Sequence, residues 1–175
     1  GATSRVAREY IDYAINIGKV PTFLFSRSGR REDFPDSPLI LGHIQHDFTS
    51  PDWSNVVEAL KKVENPRFVY FATRNNAQLR TVHPSGTRGE YNEVNVTPLH
   101  KIISLAKGRR SAVVYTSTDL VYGGEGEGFS EKDIPQYPWG YYGHSKHEGE
   151  LVALGYERGI VIRLANVLGM SGDFL

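Results

Sequence analysis

Five short, predominantly apolar runs alternate along this chain with stretches of helical periodicity, and that alternation limits the fold more than any other feature. The runs are Val20–Phe25, Leu39–Ile44, Arg67–Ala72, Ser111–Thr116 and Ile160–Leu164. A strand with one wet face alternates polar and apolar residues, whereas a strand covered on both faces reads as a continuous apolar run. Continuous runs between helices therefore predict an α/β fold, a doubly wound parallel sheet of Rossmann-like type. The helical segments fit that plan. Val6, Tyr10, Ile11, Ala14 and Ile17 share one face of a first helix that Gly18 is expected to stop. Ser50-Pro51-Asp52 is expected to open a second, with Pro51 in its first turn, carrying Val56, Val57, Leu60 and Val63. A third runs from about Tyr91 to Ala106, with Pro98 either kinking it or marking a fresh start after Thr97. A fourth follows the long loop from Gly123 to Gly140 and is expected to end at Gly159.

Composition excludes several classes of function. Lys plus Arg and Asp plus Glu both number 20, so net charge favours neither nucleic acid nor an anionic membrane as a partner. No apolar run approaches the ~20 residues that span a bilayer, which leaves the cytoplasm as the default compartment. Zero cysteines exclude disulfides and thiolate chemistry. His43 with His46, and His144 with His147, lack a third ligand at supporting spacing. No metal is expected, and these histidines are read as solvent-facing.

The chemistry centres on Tyr141-Tyr142-Gly143-His144-Ser145-Lys146. On a helix Tyr142 and Lys146 lie one turn apart and project from the same face. A phenol titrates near pH 10, and a neighbouring ammonium favours its phenolate, so the pair suits general acid/base work. Alone, a Tyr and a Lys at this spacing belong as readily to any amphipathic helix.

Three further segments strengthen the reading. Thr116-Ser117-Thr118-Asp119-Leu120-Val121-Tyr122-Gly123, Asn92-Glu93-Val94-Asn95-Val96 and Arg163-Leu164-Ala165-Asn166-Val167-Leu168-Gly169 all occur in the chain. With the Tyr142 and Lys146 motif they resemble the extended branch of the short-chain dehydrogenase/reductase family, the nucleotide-sugar epimerases, dehydratases and reductases. The resemblance spans nearly all of the chain. It implies an NAD(P)-dependent oxidoreductase or epimerase that transfers hydride on a nucleotide-sugar-like substrate. Thr118, Tyr142 and Lys146 would be catalytic, and Thr118 and Asn166 would face substrate. The cofactor would meet Gly1, Ser4, Arg27, Asp47, Phe48, Ala72, Asn95, Tyr142, Lys146 and Ala165. Homodimerisation through the helices around Val94–Ala106 and Tyr142–Tyr156 is also implied.

The departures from the family pattern shape the expectations. Its opening glycines would fall on Gly1, Ser4 and Ala7, so one of three is kept. The chain is accordingly expected to be a single domain over residues 1–175 that lacks its first strand and a following substrate domain. Asp119 is followed by Leu120 where 4,6-dehydratases carry a Glu, which argues against that activity. At the end of the first run Ser26 and Arg27 stand where NAD users place an acid, with Arg30 and Arg31 nearby. Guanidinium groups suit a 2′-phosphate, so NADP is expected in preference to NAD. Gly124, Gly126 and Gly128, interleaved with glutamates that would repel phosphate, read as a mobile substrate-side flap, with plain disorder as the alternative. The rival reading is a non-catalytic cofactor sensor or partner-binding relative on the same fold. The intact Thr118, Tyr142 and Lys146 favour the enzyme, and the eroded glycine turn favours the rival.

Overall fold

The computed structural model describes residues 2, 4–74, 86–123, 128–136 and 138–165. Gly1, Asn166 and most of the 124–128 glycine loop fall outside that set. Every strand pairing among the described residues is parallel. α-Helices connect the later strands in the alternating order expected of a Rossmann-like fold, but the first two, Thr22–Ser26 and Ile40–Gln45, depart from it: between them lies only the short 3-10 turn Arg31–Asp33. The chain divides into two compact units, one running to Glu64 and one spanning Asn65–Ala165.

In the first unit α1 (Arg5–Asn16) precedes β1 (Thr22–Ser26), β2 (Ile40–Gln45) and α2 (Ser54–Leu60). β1 and β2 pair with Leu24 opposite His43 and Ser26 opposite Gln45. Ile11, Ile15, Leu24, Phe34 and Ile40 form the core. The buried face of α1 is Ala7, Ile11, Ala14 and Ile15, so the predicted stripe is rotated. Tyr10 and Ile17 are 42% and 68% exposed. Small side chains at Ala7 and Ala14 permit close packing, and the larger apolar residues turn outward. α2 also differs from expectation, because Pro51 precedes the helix. Its start is set by Asp52, whose carboxylate accepts from the Ser54 amide at 2.9 Å.

The second unit is a sheet in the order β3 (Phe68–Tyr70), β4 (Val113–Thr118), β5 (Gly159–Leu164). α3 (Arg88–Asn95) and α4 (Thr97–Lys107) link β3 to β4, and α5 (Gly140–Leu154) links β4 to β5. Thr87 and Glu90 form a capping box that starts α3. Pro98 marks a fresh helix and not a kink. A continuous helix would leave the Val94 carbonyl without its N–H partner at Pro98. Here that carbonyl accepts instead from the Tyr70 hydroxyl at 2.6 Å. α4 buries Leu99, Ile102, Ile103 and Ala106, a helical stripe facing the core. Contrary to the expectation from the sequence, Gly159 does not stop α5. The helix ends at Leu154 with Gly155 as its cap, and Gly159 opens β5.

Gly149 places the α5 backbone directly against the Tyr115 ring of β4. A Cβ there would stand 2.8 Å from Tyr115 Cε1 and closer still to Cζ and Oη. Only glycine allows α5 to lie at this depth against β4.

Candidate active site

β4 ends by delivering Tyr115, Thr116, Ser117 and Thr118, all buried, towards the start of α5. Thr118 caps the short 3-10 turn Asp119–Tyr122, its Oγ1 accepting from the Leu120 amide at 3.3 Å. The same hydroxyl lies 3.0 Å from Asp119 Oδ1. The local backbone role open to any strand-end threonine is therefore filled, and the hydroxyl also faces Tyr142.

Tyr142 sits in the first turn of α5. Burial pushes its phenol above the ordinary value; hydrogen bonding to Thr73 opposes this, Asp119 adds to it, and Thr118 opposes it. The direction is opposite to the one expected from a lysine partner. The reason is burial, and Lys146, the expected partner, instead places its Nζ 4.2 Å from the centroid of the Tyr115 ring. Lys146 is 1% exposed. Among the described residues no hydrogen-bond acceptor or ion-pair oxygen lies within bonding distance of its ammonium. Burial lowers its pKa to about 7, opposed by the Glu150 carboxylate.

Asn95, expected among the cofactor contacts, is engaged by the protein itself. Its Oδ1 accepts from the Arg74 amide at 2.8 Å and the Thr73 hydroxyl at 3.2 Å. Its Nδ2 donates to Ser145 Oγ at 2.8 Å and to the Arg74 carbonyl at 3.1 Å. All four bonds of the amide are made, so its side chain is a structural tie joining the end of β3 to α5. Ser145 Oγ in turn donates to the Tyr142 carbonyl at 2.8 Å. Tyr115 donates to the Asn95 carbonyl at 3.0 Å and stacks on Tyr70 at 6.3 Å.

Two residues that sequence reasoning left without a role complete the cluster. Glu150, also 1% exposed, lies one turn beyond Lys146. Arg163 on β5 grips it through Nε at 2.9 Å and Nη2 at 2.8 Å. The guanidinium also lies over the Tyr122 ring at 4.8 Å and donates to the Tyr122 hydroxyl. The available signal was a charged residue inside an apolar strand run, since a buried charge needs a partner.

Of the expected site residues, the second unit thus holds Thr118, Tyr142, Lys146 and Asn95 in one cluster. Ala72 is buried just past β3, and Ala165 is exposed just past β5. The first unit carries Ser4, Arg27, Asp47 and Phe48. Ser4 is the cap of α1, its Oγ accepting from the Ala7 amide at 3.3 Å. Arg27 is exposed, whereas Arg30 pairs with Glu32 and Arg31 with Asp36. Asp47 is bonded by the amide and hydroxyl of Thr49, and these bonds, with Arg27 nearby, hold its carboxyl below the usual range. Phe48 packs edge-on against His46 and Trp53. His46 is 4% exposed, which corrects its solvent-facing assignment. His43 is part-buried too, its Nε2 lying 2.8 Å from Ser26 Oγ. Both rings fill space beside aromatic neighbours.

The RmlD substrate binding domain family matches residues 50–175, well over half of the chain. The chain belongs to this family. Solved structures give the RmlD-family fold its wider setting. A hypothetical dTDP-4-dehydrorhamnose reductase from Sulfolobus tokodaii matches at 23% identity and a TM-score of 0.68, covering 95% of this chain and 54% of that one. WbmG from Bordetella bronchiseptica, in complex with NAD and UDP, matches at 21% identity and a TM-score of 0.76, covering 97% of this chain and 52% of its own. The dTDP-glucose 4,6-dehydratase from Bacillus anthracis, in complex with NAD, matches at 20% identity and a TM-score of 0.69, covering 94% and 52%. A search of curated proteins returned no match. The RmlD-family chain thus spans about half the length of the structures it matches. The resemblance to extended short-chain dehydrogenases drawn from its motifs is borne out. Among the described residues no helix is long and apolar enough to cross a membrane, and no cluster of three or more metal-ligating side chains forms.

Proposed function

We propose that this chain is the dinucleotide-binding part of an NAD(P)-dependent reductase or epimerase acting on a nucleotide-sugar-like carbonyl or alcohol. The observation that carries the reading is Lys146, a buried ammonium with no oxygen acceptor among the described residues, one turn from Tyr142. A buried cation without acceptors is costly, and the hydroxyls of a ribose are acceptors of suitable kind. Lys146 would hold the nicotinamide ribose, and a bound nicotinamide would supply or take up the hydride. Tyr142 performs the proton transfer. With its phenol held above the ordinary value, it is protonated at neutral pH and enters as the donor to a substrate oxygen. Thr118, beside the phenol, fixes where that oxygen sits. The structures in complex with NAD and UDP are similar in fold and support both ligand classes.

The finer points rest on fewer residues. With Arg30 and Arg31 paired locally, a preference for NADP rests on Arg27. Self-association rests on apolar side chains of α5 that face outward, Leu151 at 60% and Leu154 at 58% exposure, and sedimentation of the intact protein tests it. The cytoplasm remains the proposed compartment.

Cofactor titration and steady-state kinetics with keto-sugar nucleotides test the reading on three variants of the intact protein. Tyr142→Phe is expected to cut turnover by about 10²–10⁴ with cofactor affinity nearly unchanged. Lys146→Met is expected to damage both. Tyr141→Phe is the control, because one residue along a helix turns a side chain by about 100°. A protein that binds cofactor but turns over no keto-sugar would be the sensor of the rival reading. Full activity in Tyr142→Phe would refute the acid/base assignment.

A further inference from the structure

The chemistry assigned to Tyr142 and Lys146 leaves one buried charged group unexplained. Glu150 lies one turn beyond Lys146 on α5, the spacing that puts two side chains on one helix face, and both are 1% exposed. Burying a carboxylate is unfavourable unless it is paired and hydrogen-bonded. Glu150 is held by both arms of a guanidinium, at 2.8 and 2.9 Å. Arg163 is itself fixed by three further groups. Tyr122 lies beneath it, and the carbonyls of Glu131 and Asp133 approach Nη1 at 3.5 and 3.4 Å. Tyr122 is clamped in turn by stacking on Phe129 at 4.7 Å and by its bond to the Ser130 carbonyl at 2.7 Å. Such fixation is more than solubility or packing requires, since an apolar pair would fill the same volume without desolvating two charges.

We infer that Glu150, anchored by Arg163, is a positioning residue for Lys146, setting the charge that the ammonium carries. The inference rests on the reading of Lys146 as the cofactor-binding lysine. The groups facing Glu150 are Lys146 and His147 from α5, Arg163 from β5 and Tyr115 from β4. Lys146 meets the Tyr115 ring on its other side. Burial drives the lysine towards neutrality, and the Glu150 carboxylate opposes it. Arg163 acts with the opposite sign, because it neutralises part of the carboxylate field that Lys146 feels. The pair is therefore a two-sided control. Loss of Glu150 lowers the lysine's proton affinity, and loss of Arg163 raises it.

The test follows the lysine side-chain resonances by NMR from pH 5 to 11, with Lys146 identified by its disappearance in Lys146→Arg. Glu150→Gln is expected to lower the Lys146 midpoint by about one unit or more, and Glu150→Asp to restore most of it. Arg163→Gln is expected to raise it. A purely structural role would not move the midpoint in opposite directions in the two variants. Should Glu150→Gln fail to fold with Arg163 unpaired, the double variant is compared with Arg163→Gln, and its midpoint is expected to be the lower. An unchanged midpoint in both comparisons overturns the inference. Cofactor titration of Lys146→Met separates this from the functional reading. If Lys146→Met binds cofactor normally while the midpoints shift, the charge control stands and the cofactor role of Lys146 falls.

Discussion

Replacing Gly149 by alanine tests the depth at which α5 is set against β4. Two effects compete. In a helix interior alanine is favoured over glycine by about 1 kcal/mol. Against this, the added methyl would lie 2.8 Å from Tyr115 Cε1 and nearer to the rest of the phenol. Tyr115 is fully buried and tied to the Asn95 carbonyl at 3.0 Å, so the ring has little room to yield. Overpacking of this kind costs about 1–3 kcal/mol, and losing the Tyr115 bond adds about 1 kcal/mol. The clash outweighs the propensity gain, leaving a net loss of about 1–3 kcal/mol. For a chain of this size that lowers the melting temperature by roughly 2–12 °C. Urea and thermal unfolding followed by circular dichroism measure it. A Tyr115→Leu background supplies the control: with the phenol gone, Gly149→Ala should become neutral or stabilising. If Gly149→Ala stabilises the protein with Tyr115 in place, the packing argument is wrong.

Two further perturbations address charge. Lys146 has a folded pKa of about 7, below its unfolded value, so between pH 7 and about 10 the unfolded chain binds more protons. Stability from this group therefore rises with pH across that window. Lys146→Met should be more stable than the native protein at pH 7, with the gap in urea midpoint closing by pH 10, and a constant gap would contradict the burial argument. Arg27→Asp should weaken NADPH binding while leaving NADH similar or better, and an unchanged ratio of the two affinities would show that Arg27 is merely solvated.

All five apolar runs became strands within a few residues of their expected ends, although burial on both faces, from which they were read, is incomplete: Leu41 of β2 and Ile160 and Ile162 of β5 are exposed. Tyr142 and Lys146 were legible because helical spacing alone places them on one face. What the sequence hid depends on contacts between distant elements. Glu150 and Arg163 are 13 residues apart, yet their pairing depends on how α5 lies over β5. The fate of Pro98 was ambiguous because its answer lay in a hydroxyl on Tyr70, a residue 24 positions from the carbonyl it serves. The face of α1 was misread because alanine contributes little to an apolar pattern but decides how closely a helix can pack. The direction of the Tyr142 shift was missed for a related reason: spacing gives the partner but not the burial.

The bonding of Asn95 also bears on how the site comes into being during folding. Its side chain reaches back 21 residues to Arg74 and forward 50 to Ser145. Closing loops of that size carries an entropic cost that must be met before the contacts reward it, and such non-local pairing slows folding. Nothing within α3 alone can hold the Asn95 amide in place, and nothing within α5 alone can fix Ser145 beside it. The surroundings of Tyr142 are therefore completed late, after β3, α3 and α5 have found one another. On a growing chain the cluster around Tyr142 cannot assemble until α5 has been synthesised, so its geometry arrives with the closure of the unit and not ahead of it.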